Sequence, residues 1–346
     1  PPRHREPAQL PAQAGRVVSR AAVLGAGSWG TALAALLAGK GVDTVLWGRD
    51  ADAMERMRSS RANGRYLPGV TLPESLAITA DVETTRERDL ILAVPTRAQR
   101  SVARGVAERG GARRVLCVAK GYEPDTRKRM SEVLREELGP EPGIALLAGP
   151  SHAEEVALGI PTTVVVASTD DDTAAAFQDL LLTPTFRVYT NPDLVGAETA
   201  AALKNVIAIA AGICDGLSFG DNTKGALLTR GLAEITRLGV ELGARPETFF
   251  GLAGIGDLVT TCMSGHSRNR GVGELIAQGL LLDEACERTG MVAEGVQTTR
   301  SAVEIARAHG VELPITEQVS QVLFGGKDPR KALMELMGRD AKAEVG

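Results

Sequence analysis

The chain has 346 residues, of which 44% are hydrophobic and 24% charged, and its formal net charge is −4. That length suits about two globular domains with full cores, and the acidic balance gives no basic surface of the kind that holds nucleic acid. Cys117, Cys214, Cys262 and Cys286 are scattered without a CxxC pair, and His4, His152, His266 and His309 have no ligand spacing, so neither a disulfide framework nor a metal site is expected.

Residues 1–19 are rich in Pro, Gln, Ala and Arg but contain no apolar segment. They read as a disordered tail rather than a secretory leader. Residues 20–190 read as a dinucleotide-binding domain. Short apolar runs there alternate with helical stretches: Ala21–Leu24, Thr44–Trp47, Leu76–Thr79, Leu90–Val94, Val115–Val118, Ile144–Leu147, Thr162–Ala167 and Phe186–Tyr189. Thr31–Ala38 and Thr126–Leu138 are two of the intervening helical stretches. The alternation predicts an α/β Rossmann-type domain with a mostly parallel sheet covered on both faces.

Residues 191–340 read as a second, all-helical domain carrying substrate and catalysis. Long helical patterns run over Val195–Ile213, Thr223–Leu242, Gly271–Gln278, Thr298–Ala308, Ile315–Phe324 and Pro329–Leu336, with Gly, Asn, Asp and Pro at the breaks. The apolar run Ala200–Ile213 is too short to span a bilayer and carries Lys204 and Asn205. It predicts a buried helix of a soluble, cytosolic protein without a membrane span.

The first strand runs into Gly25-Ala26-Gly27-Ser28-Trp29-Gly30 and then a helix. GxGxxG between a strand and a helix is a dinucleotide fingerprint. Gly25 permits the tight turn, Gly27 lets pyrophosphate approach the backbone, and Gly30 lets helix and strand pack closely. The helix N-terminus then offers N–H groups to the phosphates. The second strand ends in Arg49-Asp50. An acid there binds the adenosine ribose, whereas an arginine pairs with the extra phosphate of NADP. The pair is ambiguous; NADPH is favoured and NADH tolerated.

Ligands of an open parallel sheet sit beyond the carboxyl ends of its strands. Three segments end strands there: Val94-Pro95-Thr96, Val118-Ala119-Lys120-Gly121, and Ala148-Gly149-Pro150-Ser151-His152-Ala153. Lys120 is suited to a substrate phosphate or carbonyl oxygen, with plain surface exposure as the alternative. Ser151 offers a hydroxyl to a polar substrate but sits in no GxSxG elbow.

Lys204 and Asn205 are the only polar side chains between Ala200 and Ile213. A lysine in an apolar helix either snorkels to the surface or, if partly buried, favours its neutral form and exchanges protons near neutral pH. Reduction of a carbonyl needs such a group, because the oxygen takes a proton as hydride reaches the carbon. Further on, glycines surround Asp257, and Ser267-Arg268-Asn269-Arg270 offers hydroxyl, guanidinium and amide donors that suit a phosphate, with an exposed basic loop as the alternative.

Taken together, the chain resembles the bacterial-type NAD(P)-dependent glycerol-3-phosphate dehydrogenases. The resemblance is carried by GAGSWGTALA (Gly25–Ala34), NGRYLPG (Asn63–Gly69), AVPT (Ala93–Thr96), AKG (Ala119–Gly121) and GPSHAEEV (Gly149–Val156). It continues through ALKNVIAIAAGICDGL (Ala202–Leu217), GDNTKGALLTRGLAEI (Gly220–Ile235), GIGDLVTTC (Gly254–Cys262), SRNRGVG (Ser267–Gly273) and VAEGVQT (Val292–Thr298). It implies reduction of dihydroxyacetone phosphate to sn-glycerol 3-phosphate, which feeds glycerophospholipid synthesis. It also implies roles: Ser28, Trp29, Arg49, Lys120, Ala153, Arg268, Val292 and Glu294 on the cofactor, and Lys204 as proton donor and acceptor. Lys120, Gly149, Ser151, Lys204, Asp257, Ser267, Arg268 and Asn269 fall on the substrate. His152 departs from a frequent phenylalanine and Thr96 from a frequent serine. A related dehydrogenase for hydroxy acids or nucleotide sugars is the rival, the latter requiring an oxidisable cysteine such as Cys262. A catalytically silent nicotinamide-binding protein is a second rival, against which Lys204 counts. A homodimer is the candidate assembly, which no sequence feature fixes.

Overall fold

A computed structural model describes residues 19–290, 293–341 and 343. Val292 and most of the tail read over residues 1–19 lie outside them. The strands are β1 (Arg20–Leu24), β2 (Asp43–Trp47), β3 (Ala62–Asn63), β4 (Leu67–Thr71), β5 (Ala77–Thr79), β6 (Asp89–Leu92), β7 (Arg114–Cys117), β8 (Gly143–Ala148), β9 (Thr162–Ala167) and β10 (Phe186–Asn191); the eight apolar runs form all but β3 and β4. Eight of them make one sheet in the order β10-β9-β8-β7-β6-β1-β2-β5. Neighbours are parallel except β8 and β9, which pair antiparallel. The expected mostly parallel sheet is therefore present, with its last two strands reversed.

Helices α1 (Ser28–Gly39), α2 (Ala51–Ser60), α3 (Thr96–Glu108), α4 (Met130–Leu138), α5 (Ala153–Ala157) and α6 (Asp171–Leu181) complete this half. Val23, Ile91, Leu116 and Val166 pack one apolar layer, whereas Leu24, Leu90, Cys117 and Val165 pack the other. A sheet buried on both faces has near-continuous apolar strands, which is why the runs were legible. The strand order reverses about β1, between β6 and β2, and such a switch point opens a crevice at the strand ends.

Helix α4 starts at Met130 rather than Thr126. Residues 122–129 instead close a loop through a Tyr122–Arg129 bridge, with Arg127 at φ 62° and the Thr126 hydroxyl donating to Glu123. Side-chain bonds of that kind compete with a helical start.

Beyond Asn191 every regular element among the described residues is helical: α7 (Leu194–Gly216), α8 (Asp221–Glu241), α9 (Pro246–Phe249), α10 (Asp257–Met263), α11 (Arg268–Ala277), α12 (Leu282–Arg288), α13 (Glu294–Ala308), α14 (Pro314–Gly325) and α15 (Pro329–Met337). A π turn over Leu252–Gly256 leads into α10. The Asp193 carboxylate caps α7, accepting from Gly196 N at 2.9 Å, and also accepts from Arg245 N and the Thr248 hydroxyl. Its first turns join the apolar layer under the sheet through Leu194, Ala197 and Ala201, and its later turns form the helical core with Val206, Ile207 and Ile209. At 23 residues α7 is longer than the sequence run implied, and by length and composition it is able to cross a bilayer. However, 94% of its most apolar stretch is buried inside the protein, so it serves here as a core helix.

Helices α7 and α11 meet backbone to backbone. A Cβ on Gly212 would lie 1.8 Å from the Arg270 carbonyl oxygen, and one on Gly273 would lie 2.0 Å from that of Ile209. This contact fixes the start of α11 relative to the middle of α7.

Candidate active site

The cleft between the two halves measures about 1720 Å³ and runs along the carboxyl edge of the sheet. One end is the glycine-rich turn. Gly25 has φ 121°, and a Cβ there would lie 2.6 Å from the Ala93 carbonyl oxygen. A Cβ on Gly27 would meet nothing within 4 Å, which leaves the backbone open to the cleft. A Cβ on Gly30 would lie 2.0 Å from the Gly25 carbonyl oxygen. The three glycines thus match the geometry that a pyrophosphate at the N-terminus of α1 requires. Ser28 and Trp29 open α1 on the cleft, and Trp29 also packs on Phe186 at 6.5 Å between ring centroids.

The structure separates Arg49 from Asp50. Asp50 is the N-cap of α2, its carboxylate accepting from Ala53 N at 2.9 Å. Arg49 is exposed at the rim of the cleft. One oxygen of the acid is committed to a helix end, while both residues line the cleft. Asn63 was missed by sequence reasoning. It donates from Nδ2 to the Ala26 carbonyl at 3.0 Å and the Thr31 hydroxyl at 2.8 Å, which ties the β3–β4 hairpin to the glycine turn.

At the other end, residues remote in sequence form one charged array. Lys204 Nζ donates to Asp257 Oδ1 at 2.8 Å and to the Thr261 hydroxyl at 2.6 Å. Lys120 Nζ donates to Asp257 Oδ2 at 2.7 Å and to the Gly149 carbonyl at 3.2 Å. Lys204 is 5% and Asp257 2% exposed, so the lysine does not snorkel. Burial lowers Lys204 to about 8; Asp257 opposes that shift and Lys120 reinforces it. Burial works against ionisation of Asp257, but Lys120 and Lys204 outweigh it and hold the carboxyl below its usual range. The result is an amine that changes protonation near neutral pH while an ionised carboxylate keeps it aimed. Thr261 was also missed, because a threonine inside a helical pattern carries no signal of its own.

The other expected residues converge on the same end. The Ser151 hydroxyl donates to the Gly149 carbonyl at 2.9 Å, and Ala153 begins α5. Ser267 is the N-cap of α11, so Arg268 opens that helix three residues earlier than the sequence pattern placed it. The Asn269 side-chain oxygen accepts from Gly295 N at 2.9 Å. Glu294 opens α13, and its carboxylate accepts from the backbone N–H groups of Thr96 and Lys120, both at 3.4 Å. Burial raises the Glu294 carboxyl, with Arg268 opposing. The starts of α1, α11 and α13 all line the cleft, a setting that favours anionic ligands. Cys262 is fully buried and burial pushes its thiol up to about 12, so it is no oxidisable nucleophile. No His, Cys, Asp and Glu cluster able to hold a metal occurs among the described residues.

A switch-point crevice with a dinucleotide turn, faced by a helical half that carries a buried lysine, is the arrangement of an NAD(P)-dependent dehydrogenase. The models of the NAD-dependent glycerol-3-phosphate dehydrogenase N-terminus and C-terminus match residues 20–174 and 193–334. The chain belongs to that family. It is 50% identical over 330 residues to the glycerol-3-phosphate dehydrogenase [NAD(P)+] of Desulfitobacterium hafniense, covering 95% of this chain and 94% of the relative. The Geobacter sulfurreducens relative of the same name is 52% identical, with 94% and 98% covered. The crystal structure of glycerol-3-phosphate dehydrogenase from Coxiella burnetii superposes with a TM-score of 0.89 at 39% identity, covering 93% of this chain and 99% of that one.

Proposed function

We propose that the protein reduces dihydroxyacetone phosphate to sn-glycerol 3-phosphate with NADPH or NADH, and that Lys204 gives the proton. The observation that carries this reading is the buried Lys204–Asp257–Lys120 array beside the Gly149–Ser151 and Ser267–Asn269 segments. The nicotinamide cofactor, when bound, supplies hydride to the ketone carbon. Lys204 protonates the developing alkoxide, and the positive charge of Lys120 steadies it. Asp257 and Thr261 take two of the amine's hydrogens and leave the third for substrate. Ser267, Arg268 and Asn269 at the start of α11 hold the phosphate. Glycerol 3-phosphate is the backbone of glycerophospholipids, so the reaction supplies their synthesis. A cytosolic homodimer is the assembly we assign, and light scattering on the purified protein measures its mass. Following NAD(P)H absorbance with dihydroxyacetone phosphate, glyceraldehyde 3-phosphate and pyruvate tests the substrate; turnover confined to the latter two overturns it.

The cofactor preference rests on Arg49. Replacing it by alanine is expected to raise KM for NADPH about tenfold or more, the worth of a charge-assisted phosphate contact, and to leave KM for NADH nearly unchanged. Equal losses with both cofactors overturn the assignment.

The pH profile follows from the lysine. The amine must be protonated to act as acid, so kcat/KM for ketone reduction is expected to fall as pH rises through about 8. Oxidation of glycerol 3-phosphate needs the neutral amine and rises over the same window. Asp257 raises the Lys204 pKa, so Asp257→Asn shifts the descending limb to lower pH. A limb that stays in place shows that another group is being titrated.

A further inference from the structure

Two imidazoles at the substrate end have no part in the chemistry above. His152 stands between Ser151 and the first turn of α5, and His266 stands just before the N-cap of α11. The rings come from opposite halves of the protein and meet across the cleft, with centroids 5.7 Å apart and planes tilted by 49°. Both line the cleft together with Lys120, Lys204, Asp257 and Arg268. Nε2 of His152 is buried and has no hydrogen-bond partner. A polar nitrogen left unpaired and out of water is unfavourable, and it calls for an explanation such as a ligand reached by a turn of the ring.

The charges around the pair say which ligand. Burial lowers the His152 pKa; Lys204 deepens the shift, Lys120 and His266 add to it, and Glu155 on α5 opposes it. Asp257 gives little relief, since Lys204 occupies one of its oxygens and Lys120 the other. The neighbourhood is therefore short of negative charge. A phosphate dianion supplies that charge and accepts N–H donors from both rings.

We propose that His152 and His266 form an imidazole clamp on the phosphate ester of the substrate, and that closing it draws a proton from solvent onto His152. The clamp rests on the reading of Gly149–Ser151 and Ser267–Asn269 as substrate segments, and adds two ligands and a proton linkage to it. By linkage, a site that gains a proton on binding holds its ligand more tightly as pH falls.

Titration calorimetry tests the clamp. Glycerol 3-phosphate is added to enzyme saturated with NADPH, a pair that cannot react because both are reduced. The experiment is run near pH 7 in two buffers of different ionisation heat, which gives the number of protons taken up. The ligand's own phosphate titration is common to all variants and cancels in the comparison. Wild type is expected to take up a larger fraction of a proton than His152→Gln or His266→Gln, and the double variant the least. The affinity advantage of wild type over the double variant is expected to grow about tenfold between about pH 8 and about pH 6.5. His152→Phe, which keeps the ring volume, must behave like His152→Gln. Unchanged NADPH affinity shows that each variant is folded. The clamp is overturned if the double variant binds glycerol 3-phosphate with the wild-type proton number, or if His152→Phe matches wild type. Failure of wild type itself to bind glycerol 3-phosphate overturns the substrate reading, which distinguishes the two failures.

Discussion

Lys204→Ala is expected to lower kcat for reduction of dihydroxyacetone phosphate by about 10²–10⁴-fold, the range that loss of a positioned general acid produces. The substitution is clean for the backbone, because position 204 is mid-helix in α7 and alanine is the best helix former. Asp257 keeps one cationic partner, Lys120 at 2.7 Å, so the buried carboxylate is not left bare. NADPH affinity, read from cofactor fluorescence, is expected to stay within about twofold of wild type, since the loss falls on a step made only in the transition state. Lys204→Arg sharpens the test. Its guanidinium keeps the charge but holds its proton too tightly to give it up near neutral pH, so kcat remains low. Undiminished turnover in Lys204→Ala, or recovery in Lys204→Arg, removes Lys204 as proton donor.

The second large effect is expected far from the reacting atoms. Gly212→Ala places a methyl group 1.8 Å from the Arg270 carbonyl oxygen. That neighbour is backbone and cannot rotate away, so α7 and α11 must separate. Overpacking of this kind costs about 1–3 kcal/mol. The functional loss is larger than the stability loss implies. Lys204 lies on α7 and Arg268 and Asn269 open α11, so separating the helices moves the proposed proton donor away from the proposed phosphate ligands. A displacement of about 1 Å costs on the order of 10²-fold in rate. Gly225→Ala is the matched control. Gly225 lies within α8, and a Cβ there would meet nothing within 4 Å. It is expected to stabilise the protein by about 0.4–1 kcal/mol with unchanged turnover. Urea denaturation and kcat/KM measured on both variants decide the matter. Similar behaviour of the two glycine variants contradicts the close packing of α7 on α11.

Much of this architecture was legible in one sequence because the signals were local. Both faces of the sheet are covered, so its strands appear as short apolar runs between helical stretches. Gly25 and Gly30 answer to close contacts with Ala93 and within the β1–α1 turn, and Gly27 to the open space above that turn. The capping of α11 by Ser267 lies in the motif itself. The hairpin of β3 and β4 was not legible, since Ala62–Asn63 is two residues long and Leu67–Thr71 contains Pro68 and Gly69. The reversal of β9 also left no trace, because an apolar strand carries no record of its direction.

The sequence by itself determined the fold class, the dinucleotide turn, an apolar helix with one lysine in it, and the family through its ordered motifs. Only the tertiary structure decided what that lysine is. It placed Asp257 and Thr261, 53 and 57 residues away in the chain, on the Lys204 amine. It brought Lys120 to the same carboxylate from 137 residues away. It also placed the Asp50 carboxylate on the α2 helix end, which neighbouring letters do not show. A pKa is set by burial and by charges within a few ångströms, and neither is a property of neighbouring letters. The composition of the helix made Lys204 a candidate; the folding of two distant segments against it enclosed its amine beside the Asp257 carboxylate and set its pKa at about 8.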